Sequence, residues 1–195
     1  SIYDFEIVSD CVVAGREGQY AVSIKPSLKL TDKCVLSAML YDDGELVATK
    51  SINVDSKQID KITFSSLNVK EWSAEAPNLY TLVVSLSKGG ELVELVRRPI
   101  GFKHIKIIGN VFTFNNKNIK LFGVNHHDTN PKTGYVMTVE DMEKDVRIFK
   151  EYNVNCVRTS HYPPDPTFLD LCDEYGVYVI DEADIETHGC EVEMH

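Results

Sequence analysis

The sequence predicts an immunoglobulin-like β-sandwich over residues 1–100, followed over residues 101–195 by the first strands of a (β/α)8 barrel. Three observations carry this prediction. Apolar residues alternate with period two up to Pro99, which is typical of short antiparallel strands. Strand and helix patterns then alternate, which is typical of parallel β/α units. Polar residues also gather where the later strands end, as they do at the active edge of a barrel.

The first hundred residues contain repeated strand and turn patterns. Leu36, Ala38 and Leu40 form one face of a strand, and Asp43-Gly44 offers a hairpin turn into the next. The same pattern returns before and after Gly89-Gly90. About seven strands fit in this region, as expected for an immunoglobulin-like sandwich of roughly 100 residues.

The second half begins with a predicted hairpin and continues with alternating strands and helices. The predicted elements are the hairpin Ile105–Ile108 and Val111–Phe114, the strands Ile119–Val124, Asn155–Arg158 and Val177–Ile180, a helix capped by Thr138, and a helix from Asp165 to Gly176. No Gly-rich phosphate loop follows the first strand, which disfavours a doubly wound dinucleotide-binding sheet. A whole barrel takes roughly 250 residues, so we expect only its first three strands here.

Composition excludes several classes of function. The net charge of −10 argues against nucleic-acid binding, which needs clustered Lys and Arg. No apolar run approaches the roughly 20 residues of a membrane span, and Ser1–Asp10 does not resemble a secretion signal. The sequence leaves the compartment open. The five cysteines are scattered and odd in number, so we expect most of them to be reduced core residues.

Acidic residues dominate the C-terminal segment. Residues 159–195 contain no Lys or Arg and many Asp and Glu. Solvated helix faces would explain this equally well as a cation or sugar-hydroxyl site that uses some of the carboxylates.

Polar residues follow each of the three predicted barrel strands. They occupy Asn125–Asp128, Arg158–Pro163 and Asp181–Gly189, and each segment contains histidine. One such histidine is usually structural, but parallel strands bring all three segments to one edge, where they predict a binding site.

Two residues of the third segment could bind a metal ion. Glu186 and His188 are two positions apart, so an extended chain points them the same way. They would offer a carboxylate oxygen and an imidazole to a divalent cation, although a simple hydrogen bond between them explains the spacing equally well. His126 and His127 are adjacent and should point to opposite sides; we take His127 as the binding residue and His126 as packing or rim.

Six motifs, in order, resemble those of family 2 glycoside hydrolases and together cover nearly the whole chain. They are Trp72–Tyr80, Ile100–Lys103, Gly123–Asp128, Val157–Pro163, Leu171–Gly176 and Asp181–Gly189. Most are shared by the family's β-galactosidases, β-glucuronidases and β-mannosidases. The Ile-Glu-Thr-His-Gly run within the last motif resembles the β-galactosidase branch.

The resemblance implies roles for individual residues. It implies that His127 and His161 contact sugar hydroxyls, and that Arg158 and Asp181 lie beside them and support the sugar subsite. It also implies that Glu186 and His188 hold Mg²⁺ together with the acid/base glutamate. Where many family members have Arg, this chain has His126.

The activity implied is retaining hydrolysis of terminal β-D-galactosides by an enzyme that is a homo-oligomer, with two catalytic carboxylates about 5 Å apart. In the family the acid/base glutamate follows an asparagine after the fourth strand, and the nucleophile lies near the seventh. This sequence has no Asn-Glu dipeptide, so we expect no catalytic residue and no turnover in the chain alone.

The sequence is also compatible with three other functions. A β-glucuronidase or β-mannosidase would share most of the motifs. A metal-dependent hydrolase would normally need an alternating histidine pair on the first strand, where this chain has adjacent histidines. A non-catalytic sandwich module that binds a protein or glycan is the third alternative.

Overall fold

The computed structural model describes residues 1–11, 18–56 and 60–185. The chain divides into two compact units. The sandwich unit comprises residues 1–73 and 78–119, and the strand–helix unit comprises residues 74–77 and the residues from Lys120 onward.

The sandwich unit contains two antiparallel sheets. Its strands are β1 (Ile2–Cys11), β2 (Gln19–Leu28), β3 (Cys34–Asp42), β4 (Glu45–Val54), β5 (Ile62–Asn68), β6 (Tyr80–Lys88) and β7 (Glu91–Ile100). One sheet has the order β1-β2-β5 and the other the order β4-β3-β6-β7. Seven strands in a three-plus-four arrangement match an immunoglobulin-like sandwich, as the alternation predicts.

The core of the sandwich follows directly from that alternation. Every second residue of β2 and β3 is buried, because successive side chains of a strand point to opposite faces. Tyr80, at the start of β6, is 3% exposed, and its hydroxyl accepts a 2.8 Å hydrogen bond from the backbone N–H of Lys70. This bond ties the strand to the segment that precedes it, as in the tyrosine corner of immunoglobulin-like domains.

A small three-stranded sheet completes the sandwich unit. It consists of β8 (Ile105–Ile108), β9 (Val111–Phe114) and β10 (Lys117–Asn118). The rings of Phe114 and Trp72 lie 5.9 Å apart, and the Asn115 side chain donates to the Trp72 carbonyl at 3.0 Å. These contacts are consistent with the grouping of the hairpin and the sandwich strands in one compact unit that runs to Ile119.

The strand–helix unit has the predicted alternation of parallel strands and helices. Its elements are β11 (Gly123–His126), α1 (Val139–Glu151), β12 (Cys156–Thr159), α2 (Pro166–Tyr175) and β13 (Tyr178–Ile180). The strands form one parallel sheet in the order β11-β12-β13. Buried residues of both helices form its core with Val157 of β12 and with Val177, which precedes β13. The helices contribute Met142, Val146, Phe149, Phe168, Leu171 and Cys172.

The helix boundaries follow from local capping chemistry. Thr138 accepts a hydrogen bond from the Asp141 N–H, and the Asp141 carboxylate accepts one from the Thr138 N–H, so both members of a capping box are present. Asp165 caps α2 through the Thr167 N–H, and this bond holds the pKa of the Asp165 carboxyl below its usual range. Gly176 ends α2 with φ +75°, a left-handed conformation that favours glycine.

The first strand of the parallel sheet lies later than predicted. The sequence predicts Ile119–Val124, whereas β11 spans Gly123–His126. The Asn155 side chain accounts for the difference: it accepts from the Phe122 N–H at 2.8 Å and donates to the Lys120 carbonyl at 2.9 Å. Side-chain bonds thus replace strand pairing at the Phe122 N–H and the Lys120 carbonyl, while the Phe122 carbonyl accepts from the backbone N–H groups of Asn155 and Cys156 at 3.0 and 3.3 Å. Regular parallel pairing begins at Gly123.

The described cysteines and helices bear on two predictions made from composition. Cys34, Cys156 and Cys172 are buried and Cys11 is half-buried, so most cysteines are core residues as predicted; Cys190 lies outside the described residues. Burial, with Asp173 nearby, raises the pKa of the Cys172 thiol to about 12, which keeps it protonated at neutral pH. Among the described residues, no helix is both long and apolar enough to cross a bilayer.

Candidate functional site

The three parallel strands deliver their C-terminal residues to one edge of the sheet. His126 pairs in register with Thr159, and Arg158 pairs with Ile180. The residues that follow these positions therefore share that edge. We call residues 125–128, 158–163 and 181–182 the sheet-end cluster.

His127 and His161, both predicted to bind substrate, come together in this cluster. Their ring centroids are 5.7 Å apart with an interplanar angle of 74°. The Tyr162 ring lies 6.0 Å from that of His127, and both imidazoles are exposed. A neutral imidazole has one donor and one acceptor, so this pair can hydrogen-bond the hydroxyls of a polar ligand.

Arg158 links all three segments of the cluster. Its guanidinium donates to Asn125 Oδ1 at 3.3 Å and to Glu182 Oε1 at 2.7 Å, and lies 3.4 Å from His161 Nδ1. The Arg158 and Glu182 side chains are 38% and 29% exposed, so this ion pair is only partly shielded from water. A planar guanidinium with several donors holds such partners in fixed directions, which a lysine could not do.

Asp181 and Glu182 take different positions, which the sequence alone did not distinguish. The Asp181 carboxylate accepts a 3.2 Å hydrogen bond from the buried Thr159 hydroxyl, and the Glu182 N–H donates to the same hydroxyl at 3.0 Å. The Glu182 carboxylate instead reaches Arg158 and lies 3.5 Å from His161 Nδ1. The sequence predicts a role for Asp181 and none for Glu182, although alternation along an extended segment places the two on different sides.

His126 lies on the side of the strand opposite His127, as alternation predicts for adjacent residues. Its ring stacks on Phe168 at 4.6 Å and meets Phe149 edge-on at 5.8 Å. His126 is therefore a packing residue, with its nitrogens directed at Asp128 and Asp145.

The predicted metal ligands Glu186 and His188 lie outside the described residues. Within residues 1–11, 18–56 and 60–185, no three His, Cys, Asp or Glu side chains form a group able to hold a metal ion. The magnesium site therefore stays a prediction.

Family models match both halves of the chain. Residues 1–103 match the model described as glycosyl hydrolases family 2, and residues 105–195 match the model of the TIM barrel domain of glycosyl hydrolases family 2. The first match alone covers more than half of the chain. The chain thus belongs to glycosyl hydrolases family 2, and its parallel strands are the start of the family's TIM barrel.

Curated relatives carry a more specific name. The chain is 39% identical over 190 residues to a β-galactosidase of Halalkalibacterium halodurans, covering 96% of this chain and 19% of the relative. It is 46% identical over 202 residues to a β-galactosidase of Vibrio vulnificus, covering 97% of this chain and 19% of the relative. The chain therefore spans about a fifth of the length of these relatives.

Solved structures of the family share the fold. A β-D-glucuronidase from Dictyoglomus thermophilum superposes with a TM-score of 0.80 at 25% identity, covering 93% of this chain and 29% of that one. A β-glucuronidase from Ruminococcus gnavus superposes with a TM-score of 0.79 at 24% identity, covering 93% of this chain and 29% of that one. The second likeness concerns the fold alone.

Proposed function

We propose that this chain supplies part of the sugar-binding edge of a retaining β-galactosidase that hydrolyses terminal β-D-galactosides. The observation that carries the proposal is the pairing of His127 and His161, 5.7 Å apart, where parallel barrel strands end. The β-galactosidase name of relatives 39% and 46% identical supports this substrate over others.

The contacts of the sheet-end cluster support a proposed role for each residue. His127 and His161 hydrogen-bond sugar hydroxyls. Arg158 and Glu182 hold the His161 ring in place, through atoms 3.4 and 3.5 Å from its Nδ1. Asp181 acts indirectly: its carboxylate accepts a hydrogen bond from the Thr159 hydroxyl, which also accepts one from the Glu182 backbone N–H.

Catalysis needs groups beyond this cluster. We place the acid/base glutamate and the nucleophile outside residues 1–195, so the chain alone has no turnover. Glu186 and His188 are proposed to hold Mg²⁺, which when bound would add fixed positive charge near the sugar. The working enzyme is proposed to be a homo-oligomer, which light scattering of the full-length protein will test.

The full-length protein should be assayed on chromogenic β-galactoside, β-glucuronide and β-mannoside. We expect preference for the galactoside and no turnover by residues 1–195. Preference for the glucuronide would favour the activity named for the Dictyoglomus structure and refute the galactosidase assignment. Turnover by residues 1–195 alone would refute the placement of the catalytic carboxylates.

Substitutions separate the binding role from a structural one. His127→Ala and His161→Ala should each lower kcat/KM roughly 10- to 100-fold, as expected for losing one or two hydrogen bonds that strengthen in the transition state. Tyr152→Ala is the control, because Tyr152 is 77% exposed and caps the far end of α1. Unchanged kcat/KM in both histidine variants would exclude them from the site.

A further inference from the structure

His126 is enclosed by aromatic rings on two helices. Its side chain is 9% exposed. Phe168 of α2 stacks on the ring at an interplanar angle of 8°, and Phe149 of α1 meets it at 89°. The N–H of Ser160, the residue after β12, donates to the His126 carbonyl at 3.1 Å. The ring therefore has one fixed orientation, with both nitrogens aimed at defined partners.

Those partners are two carboxylates. His126 Nε2 lies 3.1 Å from Asp145 Oδ2 on α1, and Nδ1 lies 3.6 Å from Asp128 Oδ1 in the loop after β11. A neutral imidazole has one N–H, so it would leave one nitrogen lone pair facing a carboxylate. Only the imidazolium presents a proton to each carboxylate.

Asp128 also needs a positive charge. Its Oδ1 is buried and makes no hydrogen bond within the described part of the chain. Burying a carboxylate without a counter-charge is unfavourable, and of the ion pairs found in residues 1–11, 18–56 and 60–185, that of Asp128 is with His126. The charged side chains that face the ring are thus Asp128 and Asp145, while α2 contributes Phe168 and β12 contributes backbone.

Asp128 joins the two loops that carry the proposed sugar-binding histidines. Its Oδ2 accepts from the Asp165 N–H at 3.3 Å, and its own N–H donates to the Tyr162 hydroxyl at 3.1 Å. Tyr162 directly follows His161, and Asp128 directly follows His127. Any shift of Asp128 would therefore change the spacing of the two imidazoles.

We propose that His126 is a positioning residue that clamps Asp128 to Asp145 and thereby keeps His127 and His161 at their observed spacing. This role rests on the proposed sugar-binding function of that pair.

The first arm of the test measures the clamp without any substrate. In the full-length protein, His126→Gln, Asp145→Asn and the double variant should form a cycle in which the thermal destabilisations are non-additive, because the two residues share one contact. His126→Gln with Asp170→Asn is the matched control, since Asp170 is an exposed carboxylate on α2. Additivity in both pairs would overturn the clamp, whatever the enzyme hydrolyses.

The second arm measures positioning. Asp145→Asn leaves the ring packing in place, and we expect kcat/KM to fall on the order of tenfold. His126→Arg, which keeps a cation with several N–H donors between the two carboxylates, should retain more activity than His126→Gln. If Asp145→Asn matches Asp170→Asn in kcat/KM, the positioning role is wrong. A wild type that hydrolyses none of the glycosides would instead refute the proposed function and leave the first arm to decide the clamp.

Discussion

Replacing Thr159 by Val should loosen the end of the third barrel strand. Thr159 is 2% exposed, and its hydroxyl joins the Asp181 carboxylate at 3.2 Å to the Glu182 N–H at 3.0 Å. Valine keeps the shape of the side chain but removes both bonds. Each net hydrogen bond contributes about 1 kcal/mol, and the exposure of Asp181 keeps the charged one near that value, so the loss is about 2 kcal/mol.

Thr159→Ser is the matched control for this prediction. It keeps the hydroxyl and removes one buried methyl group, at a cost of about 1 kcal/mol. The comparison therefore separates the hydrogen bonds from side-chain packing.

Amide hydrogen exchange of the 195-residue chain measures the loss of stability at individual backbone N–H groups. A loss of about 2 kcal/mol corresponds to roughly 30-fold faster exchange at the Glu182 amide in the valine variant. The serine variant should exchange only about fivefold faster than wild type, the equivalent of about 1 kcal/mol, because its hydroxyl still accepts from that amide. Equal protection in the two variants would show that the Thr159 hydroxyl does not fix this strand end.

Three further outcomes test the fold. Gly176→Ala should destabilise the strand–helix unit by about 2–4 kcal/mol in urea denaturation, because a Cβ there meets the Ala74 carbonyl oxygen at 2.5 Å and φ is +75°. The control Gly109→Ala, at φ +61° with open space around it, should cost about 1 kcal/mol. Equal costs for the two variants would contradict this reasoning. Asp165→Asn should reduce the amount of α2 helicity that is lost on acidification, as measured by circular dichroism. The folded pKa of Asp165 is depressed, so its stabilisation is present above the unfolded pKa and lost as pH falls through the folded value; an unchanged acid profile would exclude this role. Tyr80→Phe should cost about 1–2 kcal/mol by differential scanning calorimetry, since it leaves one backbone N–H without its acceptor, and an unaltered melting temperature would argue against the corner bond.

Local patterns were sufficient to predict most elements of both units. Alternation of apolar residues marks the sandwich strands because a strand exposes its two faces in turn. Thr138 and Asp165 mark the two helix starts because their side chains accept the N–H groups that a first turn leaves unpaired. Each of these signals involves residues only a few positions apart.

The candidate site was predictable only in part. Parallel strands bring their C-terminal ends to one edge, so the meeting of His127 with His161 follows from topology. Glu186 and His188 lie outside the described residues, and their role stays a prediction.

Tertiary structure decided which side chain meets which partner. The sequence does not distinguish Asp181 from Glu182 as the partner of Arg158, because that choice depends on how β13 is oriented by Thr159. It also does not reveal that Asn155 delays the start of β11.

For His126, too, the sequence predicts the face of the strand but not the contacting atoms. Alternation places it opposite His127, whereas its two carboxylate partners come from a loop and from α1, the latter 19 residues away in the chain. Sequence patterns report the face on which a residue lies. The atoms that contact it there depend on packing between segments whose separation in sequence carries no such information.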